Sequence, residues 1–135
     1  MTAAAAGLLD TSVFIARETG RPLGDLPERG AVSVVTIGEL QLGVLNASDG
    51  EMRARRADTL ALARGAEPIP ISEAVMVSWA RLVADCQLGG VQRLIKLTDA
   101  LIAATAVEHG LPIVTQDDDY DAIARAHPQL RVVKV

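Results

Sequence analysis

The chain alternates short apolar runs with longer segments of helical period, and this alternation constrains the fold more than any other feature. Runs of strand length are GLL (7–9), AVSVV (31–35), EPIPI (67–71), LPIVT (111–115) and RVVKV (131–135). The segments between them repeat apolar residues three and four positions apart, as amphipathic helices do. We therefore predict an α/β fold with a mainly parallel sheet, in which the two prolines of EPIPI restrict that run to an edge or a strand start.

Polar caps and glycines set the predicted helix boundaries. The predicted N-caps are Ser12, Thr36, Ser72 and Thr98. Glu39 stands three residues after Thr36, which is the spacing of a capping box. Segment 51–65 is predicted to be an exposed helix that ends at Gly65, with three arginines in solvent: Arg53, Arg55 and Arg56.

Length and composition favour a single domain in a reducing compartment. The 135 residues are 50% hydrophobic, which is enough for one core, so we expect one domain over residues 1–135. Cys86 is the only cysteine, which excludes an internal disulfide and a zinc site of several thiolates. The start MTAAAAGLLD lacks the basic region of a signal peptide, and no apolar stretch approaches the roughly 20 residues of a membrane span. We predict a cytoplasmic protein without membrane contact.

Composition also limits the kinds of partner. Aromatic residues make up only 2% of the chain, which speaks against a surface on which nucleic-acid bases stack. The formal charge of −4 speaks against a nucleic-acid partner as well, because phosphates are bound mainly by lysine and arginine. This objection weakens where carboxylates hold divalent cations, because the ions reverse the local field.

Acidic residues stand at the carboxyl ends of predicted strands and at one helix start. Asp10 follows GLL, Glu39 follows AVSVV, and Asp117 follows LPIVT, while Asp99 begins a helix. The functional crevice of an open α/β sheet lies outside the carboxyl ends of its strands, so we expect these acids to meet. Carboxylates at short range raise each other's pKa, and a divalent cation with oxygen ligands, Mg²⁺ or Mn²⁺, relieves that repulsion.

Such a cluster suits the hydrolysis of phosphodiesters. A bound metal ion lowers the pKa of a water molecule and orients it for attack, so no protein nucleophile is required. Neither His109 nor His127 stands in a triad pattern with a serine or the cysteine. We predict structural roles for both histidines and core positions for Trp79 and Cys86.

Three segments carry a resemblance to a known family. LLDTSV, VVTIGELQLGV and LTDALIAATAVEHGLPIVTQDDDYDAI together cover nearly the whole chain. With them the chain resembles a PIN domain, and more closely the VapC toxins of bacterial type II toxin–antitoxin pairs. The resemblance implies a three-layer α/β/α fold and an endoribonuclease that uses Mg²⁺ or Mn²⁺. It also implies a homodimer that is silenced by a small VapB antitoxin, whose C-terminal segment lies across the active-site groove.

The same resemblance assigns roles to individual residues. It places the catalytic and metal-binding acids of the family on Asp10, Glu39, Asp99 and Asp117. Asp119 falls on a further acid that some members have, and it is a candidate metal ligand. Thr11, Ser12 and Thr115 fall on polar helper positions, and Ser12 and Thr115 are candidates for orienting water or phosphate. Arg93 and Lys96, just before Asp99, are candidates for contact with RNA phosphates.

Each acid also has a purely structural explanation. Asp10 can form an Asx turn, Glu39 can belong to the capping box, and Asp99 can complement the helix dipole. Asp118 and Asp121 are best explained as solvated or helix-start charges.

Two alternative functions stay open on the sequence. A catalytically inactive PIN scaffold would bind RNA or a partner without cleavage. An aspartyl phosphotransferase of the haloacid-dehalogenase kind would use Asp10 as a nucleophile, but that class places a second acid where this chain has Ser12.

Overall fold

Four short parallel strands form the sheet. In the computed structural model, which describes residues 5–135, these strands are β1 (Ala6–Leu9), β2 (Arg29–Ala31), β3 (Ile113–Thr115) and β4 (Val132–Lys134). Their order across the sheet is β2-β1-β3-β4. Leu8 of β1 pairs with Ala31 of β2 on one side and with Ile113 of β3 on the other. The predicted parallel sheet is confirmed, and RVVKV closes it as an edge strand.

Six α-helices and one 3₁₀ turn lie in the described residues. The helices are α1 (Thr11–Thr19), α2 (Val34–Leu45), α3 (Gly50–Arg64), α4 (Glu73–Leu88), α5 (Leu97–Glu108) and α6 (Asp121–Ala126), and the 3₁₀ turn is Gln92–Leu94. No helix within residues 5–135 has the length and apolar composition needed to cross a membrane. Residues 1–4, on which the prediction about a signal peptide partly depends, lie outside the described residues.

Successive residues of β1 face two separate hydrophobic clusters. Leu8 is completely buried in a cluster with Leu82 of α4 and Ile102 of α5. Leu9 packs on a second cluster, to which each of the first three helices contributes, with Phe14, Leu40 and Leu60 as its largest aliphatic or aromatic side chains. Because successive strand residues point to opposite faces, helices cover the sheet on both sides. The predicted three-layer α/β/α arrangement is confirmed.

Three of the four predicted helix caps are wrong, and at two of them the side chain of a residue earlier in the chain takes the cap. Asp10, not Ser12, is the N-cap of α1. Ser33, not Thr36, caps α2 by accepting a hydrogen bond of 3.0 Å from the amide of Val35. The N-cap position of α5 is Lys96, whose side chain makes no capping bond, so Thr98 lies inside the helix. Ser72 caps α4 as predicted.

Two of the predicted strands are wrong over most or all of their length. The run AVSVV contains only the end of β2, because Ser33 starts α2 and takes Val34 and Val35 into the helix. EPIPI forms no strand and makes a single bridge between Ile69 and Ser33. Pro68 and Pro70 lack the amide hydrogens that a longer ladder needs.

The arginines of α3 differ in their surroundings. Arg55 is exposed, as predicted. Arg56 donates through Nη1 to the carbonyl of Gly43 at 2.7 Å, and Arg53 donates through Nη2 to the carbonyl of Ala47 at 3.2 Å. Arg53 is exposed as predicted, whereas Arg56 is partly buried, so the prediction of a solvated side chain is wrong for Arg56. Both arginines bind carbonyls at or just after the end of α2 and so connect α3 to it.

The residues predicted to be structural lie in the helical layers. Cys86 is buried in the first hydrophobic cluster, and Trp79 packs on the same cluster. His127 is buried, with Nδ1 2.7 Å from the carboxylate of Asp85. His109 is exposed at the end of α5.

Candidate active site

A cleft opens where β1 and β3 end and α5 begins. Its volume is about 290 Å³. The cleft is lined by Asp10, Thr11, Ser12, Ile15, Arg21, Glu39, Lys96, Asp99, Asp117 and Asp119. The fold thus brings together all five predicted metal-binding acids from four separate parts of the chain. The parallel sheet accounts for Asp10 and Asp117, because it sends the carboxyl ends of β1 and β3 to one edge. Helices α2 and α5 carry Glu39 and Asp99 to the same cleft.

Asp10 is the most firmly held of these acids. It ends β1, caps α1 and is 4% exposed. Its Oδ2 accepts hydrogen bonds from the Thr115 hydroxyl at 3.0 Å and from the Ser12 amide at 3.3 Å. Its Oδ1 accepts a hydrogen bond of 2.8 Å from the hydroxyl of Tyr120. Three donors from different segments therefore fix the orientation of one buried carboxylate.

The two predicted helper residues, Ser12 and Thr115, have distinct surroundings. Ser12 lines the cleft, and its hydroxyl accepts a hydrogen bond of 3.0 Å from the amide of Gln116. Thr115 is completely buried, and its hydroxyl accepts a hydrogen bond from the Asp117 amide besides donating to Asp10. This environment favours Thr115 as a support for Asp10, whereas Ser12 has access to the cleft.

Glu39 does not belong to a capping box. Because Ser33 caps α2, Glu39 lies in the second turn of the helix, beyond the reach of the cap. Its Oε1 instead accepts a hydrogen bond of 2.7 Å from the Thr11 hydroxyl, which also lies 3.1 Å from the hydroxyl of Thr36. The structural explanation for Glu39 is thereby removed, and its carboxylate is held toward the cleft.

Electrostatic repulsion in the cleft is visible in the pKa values of two acids. Burial, followed by the charges of Asp10 and Asp119, raises the pKa of Asp99 to about 6. Burial and the same two charges also raise the pKa of Asp117, while Lys96 and Arg21 act in the opposite direction. Negative charge in the cleft therefore exceeds what its neighbouring cations balance.

The chemistry of the cleft fits a divalent cation of the Mg²⁺ type. The ligand candidates that line the cleft in the described chain offer carboxylate oxygens, and no histidine or cysteine is among them. Hard cations prefer oxygen donors, and their charge relieves the repulsion between carboxylates. Among residues 5–135, no three His, Cys, Asp or Glu side chains already converge on one ligand position. Exposed Asp119 and the half-buried Asp99 and Asp117 have room to turn toward an ion.

Comparison with known proteins identifies the family. Residues 7–126 match the family model of the PIN domain. Ribonuclease VapC8 from Mycobacterium tuberculosis is 74% identical over 100 residues, which cover 74% of this chain and 89% of that relative. The chain belongs to the PIN-domain family of VapC ribonucleases. This result confirms the predicted resemblance.

Two further comparisons extend the VapC relationship over almost the whole chain. Ribonuclease VapC4 from the same organism is 47% identical over 133 residues, which cover 95% of each protein. A crystal structure of VapBC-5, described as a member of the VapBC family of toxin–antitoxin systems from M. tuberculosis, has a TM-score of 0.84 and 37% identity. That match covers 97% of this chain and 99% of the other, so the predicted PIN fold is confirmed.

Four residues of the site were missed from the sequence. Tyr120 and Thr36 hold site residues through hydrogen bonds, Arg21 lines the cleft, and Gln116 joins segments around it. Of these four, only Tyr120 could have been singled out from the sequence as a site residue, because it is the single tyrosine of an aromatic-poor chain and directly follows Asp119. Of the two predicted cationic residues, Lys96 lines the cleft, whereas Arg93 is exposed in the 3₁₀ turn and is not among the lining residues.

Proposed function

We propose that this VapC-family chain is the toxin of a VapBC-type pair and a metal-dependent endoribonuclease. The observation that carries the proposal is the convergence of five carboxylates in one cleft at the carboxyl edge of the sheet. The names of the relatives, which are ribonucleases and a toxin–antitoxin complex, support the same activity. The proposed substrate is RNA, and the proposed products carry a 5′-phosphate and a 3′-hydroxyl.

The proposed roles follow from how each acid is held. Asp10 offers a carboxylate that three donors fix in place, and Glu39 offers one that Thr11 fixes. Asp99, Asp117 and Asp119 supply carboxylates that are half-buried or exposed in the cleft. A bound Mg²⁺ or Mn²⁺ supplies Lewis acidity, lowers the pKa of a water molecule and neutralises charge on the leaving oxygen. Ser12 orients water or phosphate at the cleft, and Lys96 contacts an RNA phosphate.

The proposed partners are a VapB-type antitoxin and a second copy of the chain. Similarity to the VapBC-5 structure supports the antitoxin. Exposed leucines provide apolar surface for contacts between proteins, and they include Leu45 and Leu42 on α2 and Leu97 on α5. We place the complex in the cytoplasm, in agreement with the single buried cysteine.

The decisive test replaces Asp99 by Asn in the purified protein. We expect Mn²⁺-dependent cleavage of a labelled single-stranded RNA to be lost, and Mn²⁺ affinity, measured by calorimetry, to fall. The matched control is Asp118→Asn, which removes the same charge from an exposed side chain that pairs with Lys134 outside the cleft. Full metal-dependent cleavage by Asp99→Asn would contradict the assignment.

The same experiment separates the alternatives. A PIN scaffold without activity would bind the RNA but leave it intact in Mn²⁺. A phosphotransferase would form a phospho-aspartate at Asp10, which mass spectrometry detects. The sequence disfavours that second outcome, because Ser12 stands where the phosphotransferase class places its second acid.

A further inference from the structure

Arg21 brings an unpaired positive charge to the acidic cleft. Its side chain is exposed and lines the cleft together with Asp10 and Asp117. Within residues 5–135 the salt bridges involve only His127 and Lys134 as cations, so neither Arg21 nor Lys96 is paired with a carboxylate. A guanidinium that faces solvent without an acidic partner is available for an anion.

The backbone of Arg21 is fixed by the end of α1. Gly20 adopts a left-handed conformation with a φ of 74°. The amide of Arg21 donates to the carbonyl of Ala16 at 2.8 Å, and the amide of Gly20 donates to the carbonyl of Arg17 at 3.4 Å. This pair of bonds is a Schellman motif, which stops the helix and sets the direction of the chain that follows.

Gln116 attaches the segment that follows α1 to the acidic edge of the sheet. Its side-chain amide donates to the carbonyls of Pro22 at 2.9 Å and Val135 at 3.0 Å. Its Oε1 lies 3.5 Å from Nη1 of Arg21, at the outer limit of a hydrogen bond. Gln116 itself stands between Thr115 and Asp117, so one residue joins the carboxyl end of β3 to the arginine.

We infer that Arg21 binds a backbone phosphate of the RNA beside the scissile bond and that Gln116 is its positioning residue. The inference rests on the proposed ribonuclease function. An RNA strand that enters a cleft of five carboxylates, in a chain with a net charge of −4, requires local positive charge. A planar guanidinium at the side of that cleft, on a backbone that the end of α1 holds in place, matches the geometry of a phosphate.

The test measures RNA binding in the Asp99→Asn background, in which the RNA stays intact. Fluorescence anisotropy with a fluorescein-labelled single-stranded RNA in Mg²⁺ gives the affinity at several salt concentrations. For Arg21→Ala we expect roughly three- to tenfold weaker binding, and a slope of log affinity against log salt that is shallower by about 0.7. Arg21→Lys retains the charge and should retain the slope.

Arg17→Ala is the matched control. It removes the same charge from the last turn of α1, but its side chain lines a different cavity, beside Phe14 and Leu62. We expect it to leave the affinity and the salt slope unchanged. Gln116→Ala should weaken RNA binding when Arg21 is present and have little further effect in the Arg21→Ala background, because the two residues act together.

The outcomes distinguish this inference from the proposed function. Equal salt slopes for Arg21→Ala and Arg17→Ala would overturn the phosphate contact. Unchanged RNA binding combined with weaker antitoxin binding would also overturn it, since Arg21 would then serve the protein partner. If the unsubstituted protein neither binds nor cleaves RNA, the proposed function itself fails.

Discussion

Replacement of Tyr120 by Phe isolates the hydrogen bond that holds Asp10. The Tyr120 side chain is completely buried, and its hydroxyl lies 2.8 Å from Oδ1 of Asp10. The substitution keeps the ring in place, so it removes no apolar contact and opens no cavity larger than one oxygen. The expected loss is therefore that of a hydrogen bond to a charged group, about 1.5–3 kcal/mol in the free energy of unfolding.

Urea denaturation measures this loss directly. We expect the midpoint to fall while the m-value stays constant, because the surface exposed on unfolding is the same. The bond to Thr115 and the bond to the Ser12 amide remain on Oδ2, so the protein should still fold. We also expect a lower rate of RNA cleavage, because the carboxylate is held by fewer groups.

A double-mutant cycle with Asp10→Asn supplies the control. If the Tyr120 hydroxyl acts through the Asp10 carboxylate, Tyr120→Phe should lower the free energy of unfolding much less in the Asp10→Asn background than in the unsubstituted protein. A cost within about 0.5 kcal/mol of zero in the unsubstituted protein would refute the reasoning, since that is the scatter of neutral substitutions.

Two further predictions concern the stability of the fold. The pKa of Asp99 is about 6 in the folded, metal-free protein and 3.8 as its ordinary value, so the folded state binds this proton more tightly. The protonation of Asp99 therefore stabilises the folded state fully below pH 3.8, and this stabilisation is lost as the pH rises through about 6. Thermal melts in EDTA should show a melting temperature that falls over this range. In Asp99→Asn the fall should be smaller. A Cβ on Gly7 would lie 2.6 Å from Cγ2 of Val114, so Gly7→Ala should cost about 1–3 kcal/mol in urea. Gly38→Ala, where no atom lies within 4 Å, should instead stabilise α2 by about 0.5–1 kcal/mol, and a loss at Gly38 or none at Gly7 would contradict this account.

The sequence was sufficient to predict a parallel sheet, three of its strands and the acids at its edge, because these features depend on regular rules. Apolar runs give the parallel strands, and parallel strands bring their carboxyl ends to one edge. Asp10 and Asp117 are far apart in the sequence, yet these rules predict that they meet, and both line the cleft. Helix rules alone offer structural explanations for Glu39 and Asp99, and the resemblance to a PIN domain was needed to assign them functional roles.

The missed features depend on competition or on distant contacts. AVSVV has the composition of a strand, but Ser33 offers a cap in its middle, and the helix that follows takes its second half. Tyr120 reaches Asp10 across the fold, and Arg21 reaches the cleft only because a helix stop and Gln116 direct it there. Periodicity contains no information on contacts of this kind.

The double position of Asp10 has a consequence for how such a protein can lose its activity. One carboxylate ends β1, starts α1 and accepts bonds from Thr115 and Tyr120, so a small apolar replacement would weaken the fold as well as the chemistry. Asp99 and Asp117 are half-buried in the cleft, and in the described residues neither side chain accepts a hydrogen bond from another side chain. If the proposed function holds, variants that lose activity but keep the fold should therefore carry changes at Asp99 or Asp117 more often than at Asp10. For the same reason, Asp99→Asn is the better choice for producing an inactive protein that is correctly folded.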